Sequence, residues 1–598
     1  MAREYDIIVV GGGHAGCEAA LAAARMGAAT LLVTMKKSAI GYTSCNPSIG
    51  GVGKGQLVKE VDALGGEMAK AADASCIQYR MLNSSKGYAA RSSRMQIDRK
   101  AYNDYMLGRV SGQDGLDIIE DEVTGIIVSG GACGGVSTAS GNRYSAGRVI
   151  LTTGTFMNGI IHIGLEHVPG GRIGEKASKG LSKNLASLGF NVGSLKTGTP
   201  ARLDGRTIDL SALERQDGDQ TVIPFSFSSG GVGMPQRPCY ITRTNENTHG
   251  IIRSGLDRSP LYSGKIRSTG VRYCPSIEDK IVKFPERTSH IVFLEPEGLE
   301  TEEYYPNGVS TSLPADIQES MYRSIKGLED VKINKPAYGI EYDYVDPTQL
   351  WPSLETKPVS GLFMAGQING TTGYEEAAAL GLVAGINAAL HMRGGSPLVL
   401  ERSEAYIGVL VDDLVTKGTN EPYRMFTSRV EYRLLIREDN ADVRLSPVGH
   451  RLGLVGAEAM ERAERKKEKV NKAKERIFSL KQEGEPLNRI LKRPGVSCED
   501  IAGADKGLQG LTYYEKAQVE VDIKYAGYIE RELARIARFS DLEKIRVPEG
   551  FDYSGISGLS NEIREKLERL RPRSLGQASR ISGVTPAAIS ILMIKLKG

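Results

Sequence analysis

Continuous apolar runs, rather than strict alternation, open the chain. Residues 5–10 (YDIIVV) predict a fully buried strand that ends in three glycines. Small apolar residues continue over 15–26 as a helix, and a second buried run covers 30–34. Strand, glycine turn, helix and strand make a βαβ start. A further buried strand is predicted over 148–153, ending in Thr153-Gly154-Thr155. Another covers 361–365, followed by a Gly-rich loop and a long small-residue helix over 375–391. Between about 200 and 300 the helical period disappears and Pro, Arg and Tyr accumulate, which predicts a β-rich insertion. From 457 to 483, Met460, Ala463, Val470, Ala473 and Ile477 fall at helical spacing among Lys, Arg and Glu. The tail reads as two short helices, the second capped by Thr585 with Pro586 at its first position. Its Ala587, Ala588, Ile589, Ile591, Leu592 and Ile594 suit packing against protein better than reading DNA base edges. The pattern divides the chain into 1–200 and 301–400, two parts of one nucleotide-binding domain, an insertion over 201–300, and a helical region over 401–598.

Composition narrows the class. The chain has 598 residues, 40% hydrophobic and 25% charged, which suits a folded soluble protein. No run approaches the ~20 apolar residues of a membrane helix, and the start lacks a signal-peptide shape. Seven cysteines without a CxxC pair argue for a reducing cytoplasm and against a disulfide scaffold or zinc ribbon. A net charge of +4 leaves any basic surface to be local. Glycine is abundant, 71 residues, and clusters where backbone must turn or approach a ligand.

The glycine clusters carry the chemistry. Gly11-Gly12-Gly13-His14-Ala15-Gly16 contains GxGxxG between a strand and a helix. Gly11 permits the turn, Gly13 lets a pyrophosphate approach the backbone, and Gly16 lets the helix pack closely. The second strand ends in Thr34 rather than the usual acidic residue, so the Thr34 hydroxyl is a candidate for the ribose. Gly361-Leu-Phe-Met-Ala-Gly366-Gln367 and the following NGTTGYEEA resemble the C-terminal FAD motif of flavoproteins with two dinucleotide-binding folds. There a helix N-terminus faces the flavin, whose reduced form is anionic. The resulting fold class is an α/β FAD-binding Rossmann-like domain of the two-dinucleotide-binding type, with a β-rich or mixed insertion and an all-α C-terminal domain.

Longer segments resemble the bacterial GidA/MnmG family. They include GGGHAGCEAA, SCNPSIGGVGKGQLVKEV, LNSSKG, SLKTGTPARLD, RYCPSIEDK, YPNGVSTSLP, AGQINGTTGYEEAAA, NEPYRMFTSR and QASRISGVTPAAISIL, spread over residues 11–592. The resemblance implies FAD-dependent modification of C5 of the wobble uridine of tRNA, by a carboxymethylaminomethyl or aminomethyl group. It implies NADH as reductant, methylenetetrahydrofolate as one-carbon donor, and glycine or ammonium as nitrogen source. It further implies a homodimer joined to the GTPase MnmE in a heterotetramer. It assigns Val123 and Ser178 to FAD. It assigns Gly270, Val271, Arg272, Tyr273, Cys274, Pro275 and Phe284 to NADH, although no Rossmann fingerprint marks that segment. Rival readings are a folate- and FAD-dependent tRNA uridine methyltransferase, an NADH-oxidising flavoprotein and a non-catalytic RNA-binding protein. The long helical C-terminus counts against the methyltransferase.

Alkylation at uridine C5 calls for a nucleophile at C6, and an accessible thiol is the usual choice. Cys45, before the loop Gly50–Gly55, and Cys274, beside Arg272, are the candidates. Lys54 lies in that loop, but Gln56 follows Gly55, so the phosphate-binding spacing GxxxxGK[ST] is absent. Basic residues gather at Lys86, Arg91 and Arg94 with Arg99, and again at Arg424, Arg429, Arg433 and Arg437 among Tyr423, Phe426 and Tyr432. Both groups are candidate tRNA contacts. In the second, Arg429, Arg433 and Arg437 would share one face if their segment were helical.

Overall fold

The computed structural model describes residues 4–266, 268, 270, 275–548 and 550–597. Its first sheet is built by β1 (Glu4–Val10), β2 (Thr30–Thr34), β3 (Leu116–Glu120), β4 (Val123–Ser129), β5 (Ala132–Thr138), β6 (Arg143–Leu151) and β7 (Leu362–Met364). The order is β3-β2-β1-β6-β5-β4. Strands β3, β2, β1 and β6 are parallel, and β5 and β4 continue as an antiparallel hairpin. β6 is long enough to serve two partners on one edge. Its first half pairs with β5, and Val149–Leu151 pair with β7.

Helix α1 (His14–Arg25) follows β1 directly, and a long helix α2 (Tyr374–Met392) follows β7. The two pack closely because both faces are small. A Cβ placed on Gly381 would lie 2.1 Å from the Ala15 carbonyl oxygen, and one on Gly385 would lie 2.4 Å from that of Ala19. This contact brings the N-termini of both helices to the same edge of the sheet, beyond the C-terminal ends of β1 and β7. That is where ligands bind in open α/β sheets.

Outside this frame lie a small three-stranded antiparallel sheet of Ser48–Gly50, Ser92–Ile97 and Cys76–Leu82, a two-stranded one in the helical region, and two larger antiparallel sheets. Four strands, Glu166–Pro169, Ile160–Ile163, Tyr338–Val345 and Val192–Thr199, form one. Six strands form the other, drawn from 202–243 and 291–335. The second sheet has its own core, which includes Leu203, Val292, Leu294, Tyr304 and Tyr322. The β-rich pattern read over 201–300 therefore belongs to a sheet that extends to Lys335.

From about residue 405 the chain is helical. Ala405 through Leu445 pack into the core of the first sheet. Later helices build two separate cores, one from Val470 to Ile523 and one from Val547 to Leu592. The segment from 457 folds as the helix Ala457–Ser479, with Ala463, Val470, Ala473 and Ile477 buried as their spacing predicts. The Thr585 hydroxyl accepts from the Ala588 N–H at 3.2 Å, capping the last helix, Pro586–Lys597. No helix among the described residues is long and apolar enough to cross a membrane.

The α1–α2 contact leaves no room for a methyl group. We expect Gly385→Ala to cost about 1–3 kcal/mol by overpacking, read as a lowered thermal unfolding midpoint. Gly147→Ala, where a Cβ meets nothing within 4 Å, is the control. Equal midpoints for the two variants would show that the helices tolerate separation.

Candidate active site

A cleft of about 690 Å³ opens where the two helix N-termini meet. Its walls include the loop Gly11–Ala15, Thr34, Val123, Ser178, Thr153–Thr155, Gly366, Gln367 and Tyr374. The loop is shaped by its glycines. Gly11 has φ +106°, and a Cβ there would sit 2.4 Å from the Thr152 carbonyl oxygen. A Cβ on Gly16 would sit 1.8 Å from the Gly11 carbonyl oxygen. Gly13 differs: a Cβ there would meet no protein atom within 4 Å. The space in front of Gly13 is therefore left to a ligand, the close approach that a pyrophosphate needs. Positive ends of two helix dipoles face the same space, and both favour an anion. Ser178 and Val123, 55 residues apart, meet through a 3.5 Å hydrogen bond from the Ser178 hydroxyl to the Val123 carbonyl. The residues present fit a dinucleotide such as FAD.

His14 and Tyr374, at the first turns of α1 and α2, stack with ring centroids 4.5 Å apart. Burial lowers the His14 pKa to about 3, so the ring is neutral at ordinary pH. The loop Gly50–Gly55 is tied to α2. The Gly50 N–H donates to Glu375 at 2.7 Å, and the Lys54 ammonium meets Glu375 at 2.7 Å and Glu376 at 3.1 Å. Burial alone would lower the Lys54 pKa, but the two carboxylates outweigh it and hold it above the ordinary lysine value. Lys54 thus serves the protein's own carboxylates rather than a phosphate.

Cys45 lies in the cleft wall, partly exposed, on a backbone held from three sides. Its N–H donates to the Tyr374 hydroxyl at 2.6 Å, and its carbonyl accepts from the Arg202 guanidinium at 2.9 Å. Arg202 also reaches the Ser44 carbonyl, and Arg99 reaches that of Thr43. The two arginines are buried and share one carboxylate, Glu297, which Arg99 meets at 2.5 Å. Three consecutive carbonyls, 43 to 45, are thus clamped by two fixed cations. The Cys45 sulfur stands 3.2 Å from the Tyr305 hydroxyl. Sequence reasoning found Cys45 and read Arg99 only as part of a basic surface; it did not find Arg202, Glu297, Tyr305 or Tyr374, which are scattered over residues 202–374. The other cysteines described are buried. Burial pushes the thiols of Cys76, Cys239 and Cys498 up to about 12 and raises those of Cys17 and Cys133.

The remaining candidates divide. Gln367 and Pro275 line the cleft. Gly270 lies beside the Lys196 side chain. Phe284 ends the helix Ile277–Lys283 and is half exposed, away from the cleft lining. Val271, Arg272, Tyr273 and Cys274 lie outside the described residues. Lys86 is exposed, and Arg91 is half exposed with its guanidinium 4.0 Å over the Tyr88 ring. Arg94 lines the cleft and meets Glu295 at 2.7 Å. Arg429 stacks 4.4 Å over Tyr423, and Arg433 is exposed.

The expected helical face through Arg429, Arg433 and Arg437 is not there. Residues Thr427–Arg429 form one 3-10 turn, and the chain then bends. Arg437 is 4% exposed and forks onto Asp439 through two 2.9 Å hydrogen bonds. Its charge is consumed inside the protein, so Arg437 is withdrawn as an RNA contact.

The sequence profile described as Glucose inhibited division protein A matches residues 6–396. The chain belongs to the GidA family. Two further profiles, the "tRNA modifying enzyme MnmG/GidA C-terminal helical domain" and "C-terminal helical bundle", match residues 457–533 and 535–598. They coincide with the two separate helical cores. The chain is 57% identical to the tRNA uridine 5-carboxymethylaminomethyl modification enzyme MnmG of Geobacter metallireducens, covering 100% of this chain and 98% of that one. Two solved structures of Aquifex aeolicus GidA share its fold. Form I has TM-score 0.93 and 50% identity over 99% of this chain and 100% of that one. Form II has TM-score 0.92 and 48% identity over 100% and 99%. The GidA fold seen here is a Rossmann-like α/β domain followed by helical C-terminal domains.

Two predictions follow from the geometry of this GidA chain. Gly13→Ala should leave the fold intact but weaken FAD at least tenfold, about 1.4 kcal/mol, in a flavin titration of stripped protein. Unchanged affinity would mean that no ligand approaches Gly13. The second concerns His14. The unfolded chain takes up this proton near the ordinary 6.5, whereas the folded chain does not until about 3. The His14 contribution to stability is therefore complete above about 6.5 and lost as pH falls toward 3. Replacing His14 by Asn should flatten the fall in unfolding midpoint between about pH 6.5 and 4. Parallel slopes for the two proteins would contradict a buried neutral ring.

Proposed function

We propose that the chain binds FAD in this cleft and modifies C5 of the wobble uridine of tRNA, adding an aminomethyl or carboxymethylaminomethyl group. The reading takes NADH as reductant, methylenetetrahydrofolate as one-carbon donor, and glycine or ammonium as nitrogen source. It places the enzyme in the cytoplasm as a homodimer, joined to the GTPase MnmE in a heterotetramer. The observation that carries it is the convergence of a dinucleotide cradle with Cys45. Among the described residues, Cys45 is the cysteine that is partly exposed and lines the cleft. The name of the Geobacter relative and the two C-terminal family matches support the same substrate.

When bound, FAD supplies hydride chemistry to a one-carbon unit. The chain's own residues act on the uridine. Cys45, as thiolate, adds to C6 and forms an S–C6 bond. The C5=C6 pair then moves toward the C4 carbonyl as an enolate, which makes C5 nucleophilic. After C5 is alkylated, its proton leaves to solvent and the thiolate is expelled. Cys274 is the alternative nucleophile in this reading, and the 270–284 segment is the proposed NADH site. The RNA is met at two loops that continue from the cleft wall. One leaves the wall at Leu82 and carries Lys86 and Arg91. The other leaves at Phe426 and carries Arg429 and Arg433. Both pair arginine with tyrosine rings, which suits phosphate and base contacts together.

The test is nucleoside mass spectrometry of tRNA from cells lacking the chain, restored with wild type or with Cys45→Ser. We expect the modified uridines to vanish, to return with wild type, and to stay below about 1% with Cys45→Ser, a triad-scale loss for a missing nucleophile. Full return with Cys45→Ser would remove Cys45 from the chemistry. Persistence of the uridines in the deletion would remove the tRNA reading altogether.

A further inference from the structure

We infer that Tyr305 is a positioning residue for the Cys45 sulfur, and that its phenol is the donor this sulfur meets when it acts as a nucleophile. The inference rests on the proposed role of Cys45 and deepens it. Tyr305 belongs to the strand Glu303–Asn307 of the six-stranded sheet, where it pairs with Glu295. Its ring is buried, 3% exposed, yet it lines the cleft, and its hydroxyl lies 3.2 Å from the Cys45 sulfur.

Either atom can donate while the sulfur carries its proton, and only the phenol can once that proton is lost. The Arg202 guanidinium lies 4.8 Å from the centroid of the Tyr305 ring. A cation over a phenol ring withdraws electron density and strengthens its O–H as a donor. The same guanidinium grips the Cys45 carbonyl, so a fixed positive charge stands near both partners. The phenol is placed to donate to the sulfur during attack. The sulfur's other neighbour is the Gly198 carbonyl at 3.9 Å, an acceptor that it can meet only as a protonated thiol. Tyr374 serves a different purpose. Its hydroxyl meets the Cys45 backbone, and burial raises its pKa.

The test uses flavin-loaded full-length protein. Tyr305→Phe keeps the ring, its burial and its stacking on Arg202, and removes only the donor. The rate of Cys45 alkylation by iodoacetamide at neutral pH is followed by peptide mass spectrometry, beside the flavin spectrum and the thermal midpoint. We expect alkylation to slow about tenfold, the scale of one hydrogen bond to a charged group. The spectrum and midpoint should not move. In tRNA modification, kcat should fall by at least the same factor with KM for tRNA unchanged. An unchanged alkylation rate overturns the inference, whatever Cys45→Ser does. A fall in kcat accompanied by an altered flavin spectrum also overturns it, because that outcome reports a displaced sheet rather than a lost donor. If Cys45→Ser keeps full activity while alkylation slows in Tyr305→Phe, the positioning contact stands and the nucleophile assignment falls.

Discussion

One buried carboxylate governs the geometry of the reactive side of the cleft. Glu297 is shared by Arg99 and Arg202, and these in turn hold the carbonyls of residues 43 to 45. Such a group is stable only as a whole. Removing one partner from a buried charge cluster typically costs ~3–5 kcal/mol, because the remaining charges are stranded in low dielectric. The arrangement also joins separate parts of the chain. Arg99 begins the helix after the small three-stranded sheet, Arg202 starts the six-stranded sheet, and Glu297 follows one of its inner strands. The position of Cys45 over the cleft therefore depends on the insertion being correctly docked.

The cofactor side depends on a different constraint, the closeness of α1 and α2. Glycine at 381 and 385 lets the helices touch through backbone, and this aligns two helix N-termini on one space. Their positive ends, the open approach at Gly13 and the stacked His14–Tyr374 pair give that space a preference for an anion lying against backbone. Tyr374 links the two halves. It starts α2 and stacks on the glycine-loop histidine, and its hydroxyl accepts the Cys45 N–H.

The cofactor half was legible in the sequence because its signals are local. Gly11, Gly13 and Gly16 sit within six residues, between a buried strand and a helix, and each has a separate steric reason to lack a side chain. The helix at 374–392 and its preceding strand were legible for the same reason. The clamp was not legible, because Arg99, Arg202, Glu297 and Tyr305 are ordinary residues in ordinary strands and turns. Only the sheet pairing brings them together. Arg437 was misread for a related cause. A spacing of four suggested a helical face, but Asp439 two residues on offers a closer partner, and the segment folds inward around that pair. Core boundaries were also hidden. Residues 405–445 look like the start of a helical domain, yet their apolar faces complete the first core.

The Cys45 sulfur, held by a rigid backbone, stands in a cleft that fits a dinucleotide, with two arginine–tyrosine loops leading away from it. The proposed role of Cys45 is attack on the uridine ring. The most direct measurement is covalent trapping on tRNA carrying 5-fluorouridine at the wobble position, where the fluorine blocks release of the adduct. Digestion and mass spectrometry then locate the linkage. The account predicts a single adduct on the peptide containing Cys45. An adduct on Cys274, or none with flavin-loaded and active enzyme, would contradict it.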